Sequence, residues 1–164
     1  DVGVSEDLAL SGMLKTNPDP GALVIWNLDF KGTLHHFVNA FAANDPKSTL
    51  QIWNMLEHRM VDNSTCIFLN TRSDRRYRTN QLMNLVCNEI QPDLFIIRGD
   101  DLPKELHELI DKHERMEVKL FPEKASPSQL FEYFASIESQ FIMGIGNIVG
   151  WGENFVSDLK EFRI

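Results

Sequence analysis

Short, unbroken apolar runs alternate with segments in which apolar residues recur at helical spacing, and this alternation constrains the fold more than any other feature. The clearest runs are Thr65 to Leu69, Leu94 to Ile97 and Phe141 to Ile145. An unbroken run of this length is typical of a strand that is buried on both faces. Strands that alternate with helices predict an α/β fold, a Rossmann-like three-layer sandwich around a mainly parallel central sheet.

The other elements follow the same alternation. Further strands are predicted over Ala22 to Leu28 and Val118 to Phe121. Helices are predicted over Lys47 to Met60, over Arg75 to Glu89, around Leu102, Leu106, Leu109 and Ile110, from Ser126-Pro127 onward, and over Phe155 to Phe162. The pair Asp45-Pro46 is typical of an N-cap followed by a first-turn proline. A second apolar run, Ile148 to Trp151, competes with Phe141 to Ile145 as the last core strand.

Length and composition indicate one globular domain. The chain has 164 residues, a hydrophobic fraction of 43% and a net charge of −8, which is enough for one core. Residues 1–20 are polar and turn-rich, so we expect an N-terminal extension followed by a single domain over residues 21–164. The first residue is not methionine, and we therefore expect the domain to be part of a longer protein.

Charge and cysteine content restrict the possible environments and partners. An excess of 24 acidic over 16 basic side chains argues against a broad electrostatic footprint on nucleic acid. No apolar run approaches the length of a membrane span, so no membrane partner is expected. Cys66 and Cys87 fall in predicted element interiors, which predicts buried free thiols and an intracellular location.

A single carboxylate ends the first apolar run, and a glycine turn follows it. Asp29 stands before Phe30 and Lys31, and Gly32-Thr33-Leu34 comes next. In a parallel sheet, ligands bind at the carboxyl ends of the strands. A carboxylate there can attack a phosphoryl group or bind a divalent cation. The alternative is an aspartate that only caps the following turn.

Polar residues also follow the second predicted strand. Asn70 and Thr71 can donate hydrogen bonds to a phosphate oxygen, and Arg72 can clamp it in bidentate fashion. The run from Arg72 to Arg78 adds positive charge beside a helix start, which favours an anion, including RNA. The alternative is a solvated helix terminus. Because carboxyl ends of parallel strands share one edge, we expect these residues to converge with Asp29.

Three later positions complete the candidate set. Lys124, before a predicted helix, can neutralise a nucleophilic aspartate and a bound phosphate, or it is an exposed loop lysine. Glu153, followed by Asn154, can ligate a metal, or it is an acid favoured at a helix N-terminus. If the last strand is Phe141 to Ile145, the acidic position falls on Asn147 instead.

The order of these motifs resembles that of the haloacid dehalogenase (HAD) superfamily of phosphotransferases. The family pattern Asp-x-Asp-Gly-Thr-Leu is matched by Asp29-Phe30-Lys31-Gly32-Thr33-Leu34, and the third motif by Lys124-Ala125-Ser126-Pro127. The stretch from Ile67 to Tyr77 is similar to the HAD domain of the Swiss army knife RNA-repair-like proteins. The resemblance implies a HAD-type sandwich without a large cap domain.

The resemblance also implies roles for individual residues. Asp29 corresponds to the nucleophile, and Lys31 replaces the family's general acid and base. Asn70 or Thr71 takes the second motif, and Lys124 the third. The implied phosphate-binding residues are Gly32, Thr33 and Arg72. The implied Mg²⁺ ligands are Asp29, the backbone carbonyl of Lys31, and Glu153, with Asn154 and Asn147 as alternatives.

Two functions follow from the resemblance. Because an ammonium cannot replace a proton-donating carboxylic acid, Lys31 favours a degenerate HAD-fold domain that is catalytically weak or inactive. Such a domain serves as a binding or scaffolding module for other domains or a protein partner, within a larger, RNA-related protein. The alternative is an active Mg²⁺-dependent phosphatase that forms an aspartyl-phosphate at Asp29 and acts on RNA or nucleotide phosphate ends.

Overall fold

The protein is a mixed α/β domain with a six-stranded, mostly parallel sheet. A computed structural model describes Ser5 and residues 20–43, 45–60, 63–100 and 116–164. In the described residues the strands are β1 (Val24–Phe30), β2 (Thr33–Asn39), β3 (Ser64–Asn70), β4 (Leu94–Arg98), β5 (Glu117–Phe121) and β6 (Gln140–Gly146). The predicted α/β class and mainly parallel sheet are confirmed at this level.

The sheet has the strand order β1-β2-β6-β3-β4-β5. Strands β2, β6, β3, β4 and β5 are parallel to their neighbours, and only β1 is antiparallel. Strands β3, β4 and β6 are buried almost throughout, as their unbroken apolar runs predict. The carboxyl ends of the five parallel strands form one edge of the sheet, which we call the carboxyl edge. The opposite side is the amino edge.

The first strand ends in a hairpin, and this corrects the sequence prediction. Strand β1 continues to Phe30 and pairs with β2, which was not predicted, through a two-residue turn at Lys31 and Gly32. Both turn residues have positive φ, 56° and 94°, as a tight hairpin requires. The carboxylate of Asp29 accepts a 2.6 Å hydrogen bond from the Gly32 amide. The chain therefore reverses direction at this turn.

Four α-helices cover the sheet in the described residues. They are α1 (Pro46–Leu56), α2 (Arg76–Leu85), α3 (Pro127–Phe134) and α4 (Trp151–Leu159). The predicted N-cap is confirmed, because the Asp45 carboxylate accepts a 3.0 Å hydrogen bond from the Ser48 amide. The run from Ile148 to Trp151 is not a strand. It leads into α4, which begins earlier than the predicted helix.

Alternate residues of the strands point to opposite faces of the sheet and form two apolar cores. On one face, Ile67 and Ile97 pack with α1 and α2. On the other, Phe68 and Ile96 pack with α3 and α4. Phe155 of α4 is fully buried in the second core. The helices therefore lie on both faces, which is the three-layer arrangement expected from the sequence.

Two sequence predictions fall outside the described residues. The helix predicted around Leu102 to Ile110 lies wholly outside them. Of the predicted N-terminal extension, residues 1–20, only Ser5 and Pro20 are described. Within the described part of the chain, no helix combines the length and apolar character needed to cross a membrane.

Candidate functional site at the carboxyl edge

A buried arginine anchors the carboxyl edge. Arg98 ends β4 and is only 5% exposed. Its guanidinium donates to the Asn70 side-chain oxygen at 3.0 Å, to the Glu123 carbonyl, and to the Ala125 carbonyl at 3.4 Å. It also lies 4.1 Å above the ring centroid of Trp151. One side chain thus connects the ends of β3 and β4 with the loop before α3 and the start of α4.

The environment of Arg98 is polar but supplies little opposite charge at contact. The acceptors are two backbone carbonyls and one amide oxygen. Burial lowers the pKa of Arg98, and the carboxylates of Glu123 and Asp100 oppose this effect. An arginine keeps its charge under such conditions. The cation–π contact with Trp151 contributes more when it is shielded from water, as it is here.

Asn70 connects Arg98 with the loop that follows β6. Its side-chain nitrogen donates to the Asn147 carbonyl at 2.6 Å, and its own carbonyl accepts from the Asn147 amide at 2.8 Å. Gly146 has a φ of 95°, and a Cβ there would collide with the Asn70 carbonyl. The close approach of these two strand ends therefore depends on glycine.

A small cleft lies beside these residues, on the α2 side. Its lining residues are Leu69, Asn70, Thr71, Arg72, Arg75, Arg78, Thr79, Leu82, Gly146 and Asn147. The Thr71 hydroxyl donates to the Arg98 carbonyl at 2.9 Å. Both predicted phosphate donors, Asn70 and Thr71, therefore use their side chains within the protein. The positive charge of the cleft comes from its arginines.

Local backbone structure brings three arginines to the cleft. A 3₁₀ turn, Ser73–Arg75, follows Arg72 and leads into α2. Arg72 is extended backbone before this turn, and Arg75 lies directly before the first helical residue, Arg76. Arg72, Arg75 and Arg78 all line the cleft. Arg72 also forms a 2.7 Å ion pair with Asp74, and both side chains are partly exposed.

The predicted site residues divide between the two edges of the sheet. Asp29, Lys31, Gly32 and Thr33 lie at the amino edge, because the hairpin reverses the first strand. The other candidates lie at the carboxyl edge, about 20 Å away along strands of this length. The expected convergence of Asp29 with Asn70, Thr71 and Arg72 is therefore not found. Asp29 instead accepts a hydrogen bond from the Gly32 amide, which is the turn-capping role considered as its alternative.

The remaining candidates lie at the carboxyl edge but make structural contacts or face solvent. Lys124 is exposed in the loop between β5 and α3. Glu153 accepts a 3.2 Å hydrogen bond from the Gly150 amide, as an acid in the first turn of a helix does. Asn154 is exposed. Asn147 lies in the loop after β6 and forms hydrogen bonds with Asn70.

The described part of the chain offers no clear cation site. Among the described residues, no group of three or more His, Cys, Asp or Glu side chains is arranged to hold a metal ion. Because Asp29 and Glu153 lie at opposite edges, they do not form the joint site that the resemblance implied. Mg²⁺ stays a prediction from the sequence.

Sequence reasoning did not identify Arg98, and it did not single out Arg75 and Arg78 within the run of arginines. A signal for Arg98 was present, because a charged residue ends the otherwise apolar run Leu94–Arg98. The arginines carried a second signal, since Arg72, Arg75 and Arg78 recur every third residue. All three line the cleft.

These features define a Rossmann-like α/β domain with an arginine-lined cleft at its carboxyl edge. A family model described as the poly-gamma-glutamate synthase CapB C-terminal domain matches residues 25–162. This match covers most of the chain. The chain therefore belongs to the CapB C-terminal domain family.

Similar proteins include two from Bacillus. The chain is 32% identical over 169 residues to PGA synthase CapB of Bacillus subtilis (strain 168), covering 99% of this chain and 42% of that protein. It is 29% identical over 176 residues to the capsule biosynthesis protein CapB of Bacillus anthracis, covering 99% of this chain and 36% of that protein. The chain thus spans less than half the length of either relative.

A solved structure supports the fold alone. Crystal structure II of MurF from Acinetobacter baumannii superposes with a TM-score of 0.54 and 13% sequence identity. The superposition covers 97% of this chain and 34% of MurF. At this level of identity the likeness concerns architecture and not activity.

The family match corrects the resemblance to the HAD superfamily. The Asp-x-Asp-Gly-Thr-Leu-like stretch forms a β-hairpin whose two turn residues have positive φ. The assignment to that superfamily, and with it the scaffold, phosphatase and RNA-related interpretations, is wrong, since the relatives are poly-γ-glutamate synthase and capsule biosynthesis proteins.

Proposed function

We propose that this domain acts in the synthesis of poly-γ-glutamate and that its carboxyl edge holds a carboxylate of the reacting glutamate. The family and the curated relatives carry that synthesis in their names. Ligands of open α/β sheets bind at the carboxyl ends of the strands. The cleft lies at this edge, between the ends of β3 and β6.

One observation carries the proposal: three arginines line one cleft in a chain whose net charge is −8. Guanidinium groups bind carboxylates through two parallel hydrogen bonds, which fixes orientation as well as position. The N-terminus of α2 adds a favourable potential for an anion in the same place. A glutamate carboxylate is a ligand of the matching charge and shape.

The buried contacts behind the cleft supply rigidity. Arg98 holds Asn70, and Asn70 holds the backbone of Asn147 on the far wall. Neither side chain needs to touch the ligand, because both act by fixing the walls. Pre-organised walls lower the entropic cost of ordering a flexible anionic ligand. We assign this domain no nucleophile and no general base.

The test measures incorporation of labelled glutamate by the complete polypeptide that carries these residues. The double variant Arg75→Gln, Arg78→Gln removes two positive charges and keeps an unbranched stem with a terminal hydrogen-bond donor at each position. We expect the KM for glutamate to rise by about tenfold or more, since each charge-assisted pair contributes more than 1 kcal/mol.

The matched control is Arg59→Gln. Arg59 is exposed and lies in the 3₁₀ turn that follows α1, away from the cleft. Its loss removes one arginine charge without touching the carboxyl edge, so the KM should stay as in the parent. If the double variant and the control behave alike, the cleft does not hold glutamate and the proposal fails.

A further inference from the structure

The amino edge of the sheet has a pocket with an aromatic wall. The β1–β2 hairpin contributes Phe30 and Lys31 to its lining, and the 3₁₀ turn Lys160–Phe162, which follows α4, contributes Phe162. The ring centroid of Phe162 lies 4.6 Å from that of Phe30 and 5.0 Å from that of Phe131 in α3. The three rings therefore form one continuous apolar surface inside the pocket.

Helix α3 supplies the remaining lining as one stripe. The stripe consists of Ser128, Phe131, Glu132 and Ala135, the residue that follows the last helical turn. Residues at this spacing share one helical face. The enclosed volume is about 170 Å³, and a cavity of roughly 150 Å³ accommodates benzene. The pocket therefore has room for one apolar side chain of the size of a phenyl ring.

Two opposite charges border this apolar space. Lys31 comes from the hairpin and Glu132 from α3, and both are exposed. Within the part of the chain that the structure describes, neither side chain forms an ion pair or a hydrogen bond. The Ser128 hydroxyl lies in the first turn of α3, where an anion is favoured. The pocket thus offers a carboxylate partner in Lys31 and Ser128, and an ammonium partner in Glu132.

We propose that this pocket binds a free α-amino acid with a large apolar side chain, of which phenylalanine is the model. The side chain lies against the phenylalanine rings, Lys31 and Ser128 bind the carboxylate, and Glu132 binds the ammonium group. A purely apolar ligand would leave both charges unused. The inference does not rest on the proposed function, because this pocket and the arginine-lined cleft lie at opposite edges of the sheet.

The apolar and the charged contacts contribute differently to binding. Burial of an aromatic side chain is the larger contribution and increases affinity by about tenfold or more. Each exposed ion pair adds less, because water and salt screen it, and changes affinity by about two- to fivefold. The rings therefore supply most of the affinity, and the two charges select a zwitterion over an ion with a single charge.

The test is ligand-observed saturation-transfer NMR on the complete polypeptide that carries these residues. The probes are phenylalanine, 3-phenylpropionate, which lacks the ammonium group, phenethylamine, which lacks the carboxylate, and alanine, which lacks the ring. We expect phenylalanine to bind about tenfold or more tightly than alanine. The two singly charged probes should bind about two- to fivefold more weakly than phenylalanine. The ring protons should receive the strongest transfer, because the ring is the enclosed part.

Two charge variants assign the ends of the ligand. Lys31→Asn keeps a residue that tolerates the positive φ of this turn, and it should weaken phenylalanine and 3-phenylpropionate but not phenethylamine. Glu132→Gln should weaken phenylalanine and phenethylamine but not 3-phenylpropionate. Glu138→Gln is the matched control, since Glu138 is exposed outside the pocket lining, and it should leave the affinity for every probe as in the parent.

A third variant closes the pocket. Ala135→Leu adds bulk to the lining and should reduce the affinity for phenylalanine about tenfold, with circular dichroism confirming the fold. If that variant does not fold, the two charge variants still decide the matter. Equal affinity for phenylalanine and alanine would overturn the inference, and so would unchanged binding in a folded Ala135→Leu. Charge variants that weaken all three aromatic probes alike, or none, would also contradict it.

Discussion

The polar side chains at the two edges of the sheet have different kinds of hydrogen-bond partner and charge. At the amino edge, polar side chains bind the backbone in neutral or local contacts. His35 lies between the Phe134 carbonyl at 2.9 Å and the Gln140 amide at 3.2 Å, and Asp29 closes its own hairpin turn. At the carboxyl edge, a buried cation holds three loops together, and three more arginines line a cleft.

The difference indicates which edge carries the charge that suits an anion. Burying an arginine is costly, and a protein that needs only to close its loops can use neutral contacts, as the amino edge does. The pocket at the amino edge is lined largely by apolar groups such as Phe30, Phe131 and Phe162. Charge is concentrated where an anionic ligand would arrive. The comparison can be tested at both edges.

The largest expected effect comes from removing the anchor of the carboxyl edge. Arg98→Met keeps much of the side-chain volume but leaves the Asn70 side-chain oxygen and the Glu123 carbonyl without this donor. The Ala125 carbonyl still accepts from the Trp151 indole at 2.8 Å. We expect a loss of about 3 kcal/mol in the free energy of unfolding, since buried groups without hydrogen-bond partners are costly. Urea denaturation measures it.

Arg163→Met is the control for this prediction. Arg163 is exposed and lies 5.7 Å above the Trp26 ring, so a loss below about 1 kcal/mol is expected. If both variants lose the same amount, Arg98 is not the anchor and the contrast between the edges is weaker than described.

A smaller effect is expected at the amino edge, and it depends on pH. Burial lowers the pKa of His35, the bond to the Phe134 carbonyl opposes this shift, and His36 adds to it. Because the pKa is lower in the folded than in the unfolded state, unfolding takes up protons in acid. Stability should be complete above the unfolded pKa of about 6.5 and decline as the pH falls below it.

The measurement compares urea midpoints at pH 7.5 and pH 5. His35→Gln should have a smaller difference between the two midpoints than the parent protein. His58→Gln, in the exposed turn after α1, should keep the parent's difference. An unchanged difference in His35→Gln would mean that another group controls acid stability.

The smallest effect concerns the hairpin turn. Gly32 has a φ of 94° and open space around the position of a Cβ. Gly32→Ala should therefore lose about 1 kcal/mol from backbone strain alone. Thermal unfolding followed by circular dichroism measures the change.

The neighbouring position provides the opposite case. Lys31→Asn places the favoured Asn-Gly pair in the same turn, so that variant should be at least as stable as the parent. A loss in Lys31→Asn similar to that in Gly32→Ala would show that Lys31 has a role beyond the turn.

The central strands of the sheet could be predicted from the sequence because each is marked by a local run of apolar residues. The unbroken runs of β3, β4 and β6 are readable residue by residue. The hairpin was missed because Lys31-Gly32 lacks the usual asparagine or aspartate signal, and its Gly-Thr-Leu continuation matched another family's motif. Strand β1 was also predicted to be buried on both faces, although its burial alternates.

The site was only partly predictable for a different reason. Arg72 was assigned to an anion site because its position after a strand is visible in the sequence. The role of Arg98 depends on the carbonyls of Glu123 and Ala125 and on the ring of Trp151. These contacts exist only after distant segments meet, so no local pattern could indicate them.

The position of β6 in the sheet has a consequence for how the protein is made. It is the last of the described strands, yet it lies between β2 and β3. Until Gln140–Gly146 has been synthesised, the hairpin and the β3-β4-β5 group have no common strand and each exposes an unpaired edge. Closure over such sequence distances is slow and leaves apolar edges open to association. Synthesis of β6 therefore decides when the hairpin and the β3-β4-β5 group can join into one sheet.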